Sequence, residues 1–186
     1  MIDSQDRSGY FGASDTEKII GRWGSKTWVN WWLEKIGIAR NTFTNVSMLC
    51  GTFLEHRILD YLAVPDMEYD NQIIIEDLKL RVNLDGNTNE TIYEVKTYNA
   101  AKPFELPKKY IRQVQVQMFA TKLRKAYIVA YAVDEADYKN FFRPIDPERL
   151  KLYKIEYDEG FICERFLPKI KILADCLKKG VFPCNV

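Results

Sequence analysis

Apolar and polar positions along this chain follow two different periods, and the change from one to the other divides it into blocks. Across 41–62 the apolar residues Phe43, Val46, Leu49, Phe53, Leu54, Ile58, Tyr61 and Leu62 return at helical spacing until Pro65 closes the run, which predicts a long helix. Two shorter helices are expected before it. Ser14-Asp15-Thr16-Glu17 has the Ser-x-x-Glu pattern of a capping box and opens the first, which ends between Gly21 and Gly24. The second covers 26–36, carries Trp28, Trp31 and Trp32, and stops at Gly37. The texture then shifts to β-rich runs over 68–75, 78–84 and 91–96, with Asp85-Gly86-Asn87 as a hairpin signal, so a three-strand meander is expected. After a loop containing Pro103 and Pro107, a helix is predicted over 108–121, then strands over 126–133 and 150–157. A last helix occupies part of 159–179, subdivided or kinked at Pro168 and ended by Gly180. This order argues for an α/β (α+β) fold in which a central mixed sheet is flanked by helices.

Composition narrows the picture. With 186 residues, 47% hydrophobic and 13% aromatic, the chain suits one well-filled core, so a single domain over 1–186 is expected. A formal charge of +1 excludes a uniformly basic coat, and any nucleic-acid contact must come from clustered charge. Such a cluster exists: Lys96, Lys102, Lys108, Lys109, Arg112, Lys122, Arg124 and Lys125 face only Glu105 between 96 and 125, although an ordinary solvated helix face would read the same way. Cys50, Cys163, Cys176 and Cys184 form no CxxC pair and no zinc spacing with His56, and read as reduced thiols. No stretch has the apolar length of a membrane span and the first residues are too polar for a secretory signal, so a cytoplasmic protein is expected.

The chemistry concentrates at Asp85 and Glu94-Val95-Lys96. On a strand, residues i and i+2 share a face, so Glu94 and Lys96 lie on one side and Val95 on the other. Two carboxylates can hold a hard divalent cation, and an adjacent lysine can orient or deprotonate an attacking water and offset charge on phosphorus. The plainer readings are that Asp85 is a turn residue and that Lys96 forms a salt bridge to Glu94. Against them, a charged pair on a strand reading Ile92, Tyr93, Val95 is awkward in a core without a neutralising partner.

These residues resemble the PD-(D/E)XK nuclease superfamily, and within it the lambda exonuclease and YqaJ-like viral recombinase branch. Leu84-Asp85-Gly86 followed by Glu94-Val95-Lys96 is similar to the family's catalytic hairpin, Gly51-Thr-Phe-Leu-Glu55 to its upstream helical glutamate motif, and the run from Tyr110 through Gln113, Gln115 and Gln117 to Met118 to the helix after the catalytic strand. Arg7-Ser-Gly-Tyr-Phe-Gly-Ala-Ser14 keeps an arginine and a serine that grip a 5′ phosphate in lambda-type enzymes, and Lys102 falls where they place a second basic contact. Two departures are Asn83, where lambda exonuclease carries a serine, and Glu55, where RecB-type relatives usually have histidine.

The resemblance implies a restriction-endonuclease-like core. It further implies a Mg²⁺- or Mn²⁺-dependent exonuclease that degrades double-stranded DNA from its 5′ end and leaves 3′ overhangs for a single-strand annealing protein. Asp85, Glu94, the Val95 carbonyl and Glu55 would hold metal, Lys96 would activate water, and Gln113 would support the site. Arg7, Ser14 and Lys102 would take the 5′ phosphate, a trimer is implied by the family's rings, and the location would be the host cytoplasm if the chain is phage-encoded. Gln117 ranks behind Gln113, since glutamine is common on helix surfaces, and His56 reads as an ordinary boundary histidine. Two rivals stay open: an endonuclease of the same fold, and a DNA-end-binding or interaction protein with an idle site.

Overall fold

The computed structural model describes residues 8–39 and 45–183. Among these residues, three α-helices and a ribbon come before the central strand. A short 3₁₀ turn, Ala13–Asp15, leads into α1 (Thr16–Ile20), followed by α2 (Lys26–Lys35) and α3 (Val46–Leu62). The ribbon comprises β1 (Glu68–Tyr69), β2 (Gln72–Ile75), β3 (Leu80–Asn83) and β4 (Gly86–Asn87). Then come β5 (Ile92–Asn99), α4 (Lys108–Thr121), β6 (Lys125–Val133), α5 (Glu135–Lys139) and β7 (Leu150–Glu156). A π-helical segment, Phe161–Phe166, runs into α6 (Leu167–Lys179), which ends at Gly180 with φ +66°.

The main sheet has the order β1-β4-β5-β6-β7, and β2-β3 form a second, two-stranded sheet. β5 and β6 are parallel and every other pair is antiparallel, so the sheet is mixed as expected. A parallel pair needs a crossover, and α4 supplies it. Register explains why the ribbon divides between the two sheets. Glu68 pairs with Asn87, Tyr69 with Gly86 and Gln72 with Asn83, so one hairpin runs through both sheets and is interrupted where Asp70-Asn71 faces Leu84-Asp85. Asp70 takes φ +56° at this break, a conformation aspartate tolerates better than most side chains.

The expected meander is therefore present in outline but not in detail. Asp85-Gly86-Asn87 is not its turn: Gly86 and Asn87 are in β4, paired with Tyr93 and Ile92, and the chain reverses over 88–91, where the Thr88 N–H donates to the Thr91 carbonyl at 2.9 Å. Glycine is needed at 86 for another reason. A Cβ there would stand 2.9 Å from both Leu59 Cδ1 and Met67 Sδ. The Ser14 capping box is also corrected: Ser14 is exposed inside the 3₁₀ turn, and it is the Asp15 carboxylate that accepts from the Gly12 N–H at 2.7 Å. Glu17 reaches away to Arg112 on α4 at 2.9 Å. Pro168 sits where the π-helical segment passes into α6, so it falls at a subdivision of the last helical run.

Two apolar clusters fill the two faces of the sheet. One gathers Phe11, Trp28, Trp31, Trp32, Leu80, Ile92, Val114, Met118 and Phe166. The other joins Leu54, Ile58 and Leu59 of α3 to Tyr93, Val95, Val129 and Tyr131. The tryptophans are core anchors as expected: Trp28 and Trp32 stack at 5.5 Å between centroids, and Trp32 is fully buried. We expect Trp32→Ala to cost about 3–5 kcal/mol in urea unfolding, the range for emptying a large aromatic site; a loss under about 1 kcal/mol would show that α2 contributes little to the core.

Candidate nuclease site

β5 is where the ribbon, the helix face and the charged residues meet. Its residues alternate as the period of two demands: Val95 and Tyr93 face the α3 cluster, while Glu94 and Lys96 lie on the opposite face with Ile92, towards α4. β4 pairs only with Ile92 and Tyr93, so beyond them that edge of β5 has no strand partner among the described residues. Asp85, at the break in the ribbon, covers the first exposed position. Its Oδ2 accepts from the Val95 N–H at 2.8 Å, which replaces the missing strand bond and fixes the carboxylate against β5.

Glu94 is 2% exposed, a burial that a lone carboxylate does not tolerate. Lys96 Nζ donates to its Oε1 at 2.6 Å, and Gln113 Nε2 donates to the same oxygen. Gln117 Nε2 donates to Oε2 and also reaches the Asn83 carbonyl at 3.3 Å. Lys96 Nζ lies 5.1 Å from the Tyr110 ring centroid as well. The salt bridge weighed as the plain reading of Lys96 therefore exists, within a cluster in which both oxygens of Glu94 accept hydrogen bonds.

Glu55 comes from α3 on the other side. Gly51, one turn earlier, lets this helix approach β5 closely, since a Cβ there would stand 3.3 Å from Thr97 Oγ1. Glu55, His56 and Asp70 bring their ligand atoms within 4.8 Å of one another, and His56 Nε2 contacts Asp70 Oδ2 at 3.1 Å. Asp70 was not singled out in the sequence, and His56 was set aside. Their meeting depends on the ribbon break, which also sets the Asp70 N–H against the Asp85 carbonyl at 3.5 Å, and local pattern carries no signal for it.

The charges are unbalanced. Burial, then Glu94 and Glu55, push the Asp85 carboxyl well above its ordinary range, against the pull of Lys96 and the Val95 N–H. Burial, then Glu94, raise Glu55 to about 7, opposed by His56 and Lys96. Burial alone would lower Lys96, but Glu94 and Asp85 outweigh it and hold the ammonium above its usual value. Three carboxyl groups thus compete for one close ammonium, the electrostatic state expected where a bound cation belongs.

Of the remaining expected residues, Lys102 is exposed in the turn after β5, its N–H bonded to the Asn99 carbonyl at 3.1 Å. Ser14 is exposed beside Gly12, 3.5 Å from where a Cβ of that glycine would stand. Arg7 lies outside the described residues. The Val95 contact to this site is its N–H, and Gln117 joins Gln113 against Glu94 although its surface-like residue type gave no sign of full burial.

Residues 4–124, more than half of the chain, match the YqaJ-like viral recombinase domain. No curated protein sequence matches. The fold is similar to that of an alkaline exonuclease (LHK-Exo) from Laribacter hongkongensis, at 21% identity over 94% of each chain with a TM-score of 0.64. The same enzyme in complex with dAMP aligns at 20% identity over 94% of this chain and 90% of that one, TM-score 0.69. A phage-related exonuclease from Haemophilus somnus 129PT aligns at 16% identity over 91% and 92%, TM-score 0.64.

Linkage gives a pH prediction for the metal-free protein. A carboxyl with a raised folded pKa binds a proton more tightly when folded, so its contribution is present at acid pH and lost as pH rises through the folded value. In chelator, we expect Tm to fall between about pH 4.5 and 7, and Glu55→Gln to flatten that slope. An unchanged slope in the variant would remove Glu55 from the cluster.

Proposed function

The chain belongs to the YqaJ-like viral recombinase domain family, and from that premise we propose that it is a metal-dependent DNA exonuclease that degrades one strand of linear duplex from the 5′ end. The observation that carries this reading is the convergence of Asp85, Glu94 and Lys96 on the open edge of β5. The donor set fits a hard dication such as Mg²⁺ or Mn²⁺: carboxylate oxygens from Asp85 and Glu94, the Val95 carbonyl, and Glu55 alongside. The raised Asp85 and Glu55 carboxyls point the same way, since a dication would relieve the repulsion that each has with Glu94. Once bound, it would supply the positive charge that polarises a phosphodiester and stabilises the charge developing on it.

The protein's own residues account for the rest. Lys96, held protonated by Glu94 and Asp85, can donate to a phosphate oxygen or orient a water, and becomes a base only when that negative charge is neutralised. Water oxygen attacks phosphorus, the bond to the 3′ oxygen of the terminal nucleotide breaks, and that oxygen takes a proton as the nucleotide leaves. Each cut leaves a new 5′ phosphate on the shortened strand. A phosphate subsite built from Arg7, Ser14 and Lys102 would recognise it in every cycle, and the exposed lysines 108 and 109 on the first turn of α4 suit the duplex backbone. The dAMP held by the Laribacter enzyme supports a nucleotide-sized product. On this reading the chain acts as one domain, in the host cytoplasm, as a homo-oligomer whose 3′ overhangs pass to an annealing protein. No helix among the described residues is long and apolar enough to cross a membrane.

A labelled linear duplex and a closed circle test the reading together. We expect metal-dependent release of mononucleotides from the linear DNA, faster with a 5′ phosphate than with a 5′ hydroxyl, no cutting of the circle, and a loss of at least about a hundredfold in Lys96→Ala. Cutting of the circle would favour an endonuclease, and equal background in wild type and variant would favour a binding protein.

A further inference from the structure

Gln117 is the fully buried member of the cluster around Glu94, and its amide has two acceptors, Glu94 Oε2 and the Asn83 carbonyl. Both partners can only accept, so the NH₂ group must face them; Oε1 is left without a partner among the described residues. Asn83 ends β3, two residues before Asp85, and Glu94 is on β5. One side chain therefore ties the strand that delivers Asp85 to the carboxylate opposite it. Gln113 and Lys96 share the other oxygen, Oε1, so among the described residues Gln117 is the donor that holds Oε2.

We propose that Gln117 is the positioning residue of the metal centre, orienting Glu94 and setting its distance to the Asp85 arm; this rests on the nuclease reading above. The residue type is part of the argument. A lysine here would neutralise Glu94 and compete with a cation, and a glutamate would repel it, whereas a neutral donor holds the carboxylate and leaves its charge free. Partners that orient ligands in this way typically change metal affinity about 10- to 100-fold when removed.

The test is Gln117→Met, which keeps the length and removes the donor, followed by calorimetric titration of the metal-free protein with Mn²⁺ alone. We expect Mn²⁺ binding at least about tenfold weaker than wild type, with much of kcat recovered at saturating Mn²⁺. Val116→Ala, a buried core position on the same helix, should lower Tm and leave Mn²⁺ affinity unchanged. Wild-type affinity in a folded Gln117→Met protein overturns the inference while leaving the nuclease reading intact. Failure of the wild type itself to bind Mn²⁺ overturns both. Should Gln117→Met not fold, the side-chain amide protons of Gln117 in the wild type decide: a downfield-shifted pair that moves on adding Mg²⁺ supports the role, and a pair at solvent-like positions that ignores Mg²⁺ overturns it.

Discussion

A carboxylate buried in the middle of a sheet governs this architecture. Moving an isolated charge out of water costs several kcal/mol even after a protein relaxes around it, so Glu94 can be 2% exposed only because donors reach both of its oxygens. One donor comes from its own strand and two from α4. That requirement fixes the rotation of the helix: Gln113 and Gln117, one turn apart, must face β5, and Val114, Val116 and Met118 then fall into the apolar cluster around them. The crossover between β5 and β6 is thus a structural connection and the wall of the site at once.

The second constraint is the break in the ribbon. A continuous hairpin would pair β5 along more of its edge and leave no room for a side chain there. By interrupting it opposite Asp70-Asn71, the fold turns Asp85 into the partner of the Val95 N–H and brings Asp70 to His56. Carboxyl groups then accumulate faster than cations, and Asp85 and Glu55 are both driven toward the protonated form. Such a centre works against the stability of the empty protein, which is the usual mark of a site shaped for a ligand rather than for the fold.

Those two constraints also explain what could be read from the chain. The period of two placed Glu94 and Lys96 on one face and Val95 on the other, and the helical period located 108–121 to the residue, because both signals are local. Asp85-Gly86 misled because the same dipeptide serves tight turns; here the glycine answers to Leu59 and Met67, which are remote in sequence. Ser14 misled similarly, since a Ser-x-x-Glu pattern exists but Asp15 makes the cap and Glu17 pairs with Arg112. Gln117 looked like a surface residue because nothing local shows that Glu94 needs a second donor. The five-residue α5 is too short to carry a period, and the local clue to it is its capping box, Asp134 with Asp137.

The location of the site follows from the way the two apolar clusters meet. Val95 and Tyr93 belong to the cluster under α3, and Ile92 to the cluster under α4, so β5, like β6 beside it, contributes to both clusters. Glu55 approaches from the α3 side and the glutamines from the α4 side, and Asp85 closes the edge between them. The open part of this arrangement is the edge of β5 that β4 leaves unpaired, where Lys96 is half-buried. On the proposed reading, a substrate strand entering there would meet carboxylates backed on both sides by packed cores, which is the rigidity that positioning a scissile phosphate demands. Lengthening β4 by even one pair would restore a backbone bond to β5 and displace Asp85, so the shortness of that strand is what keeps the Asp85 carboxylate on the Val95 N–H.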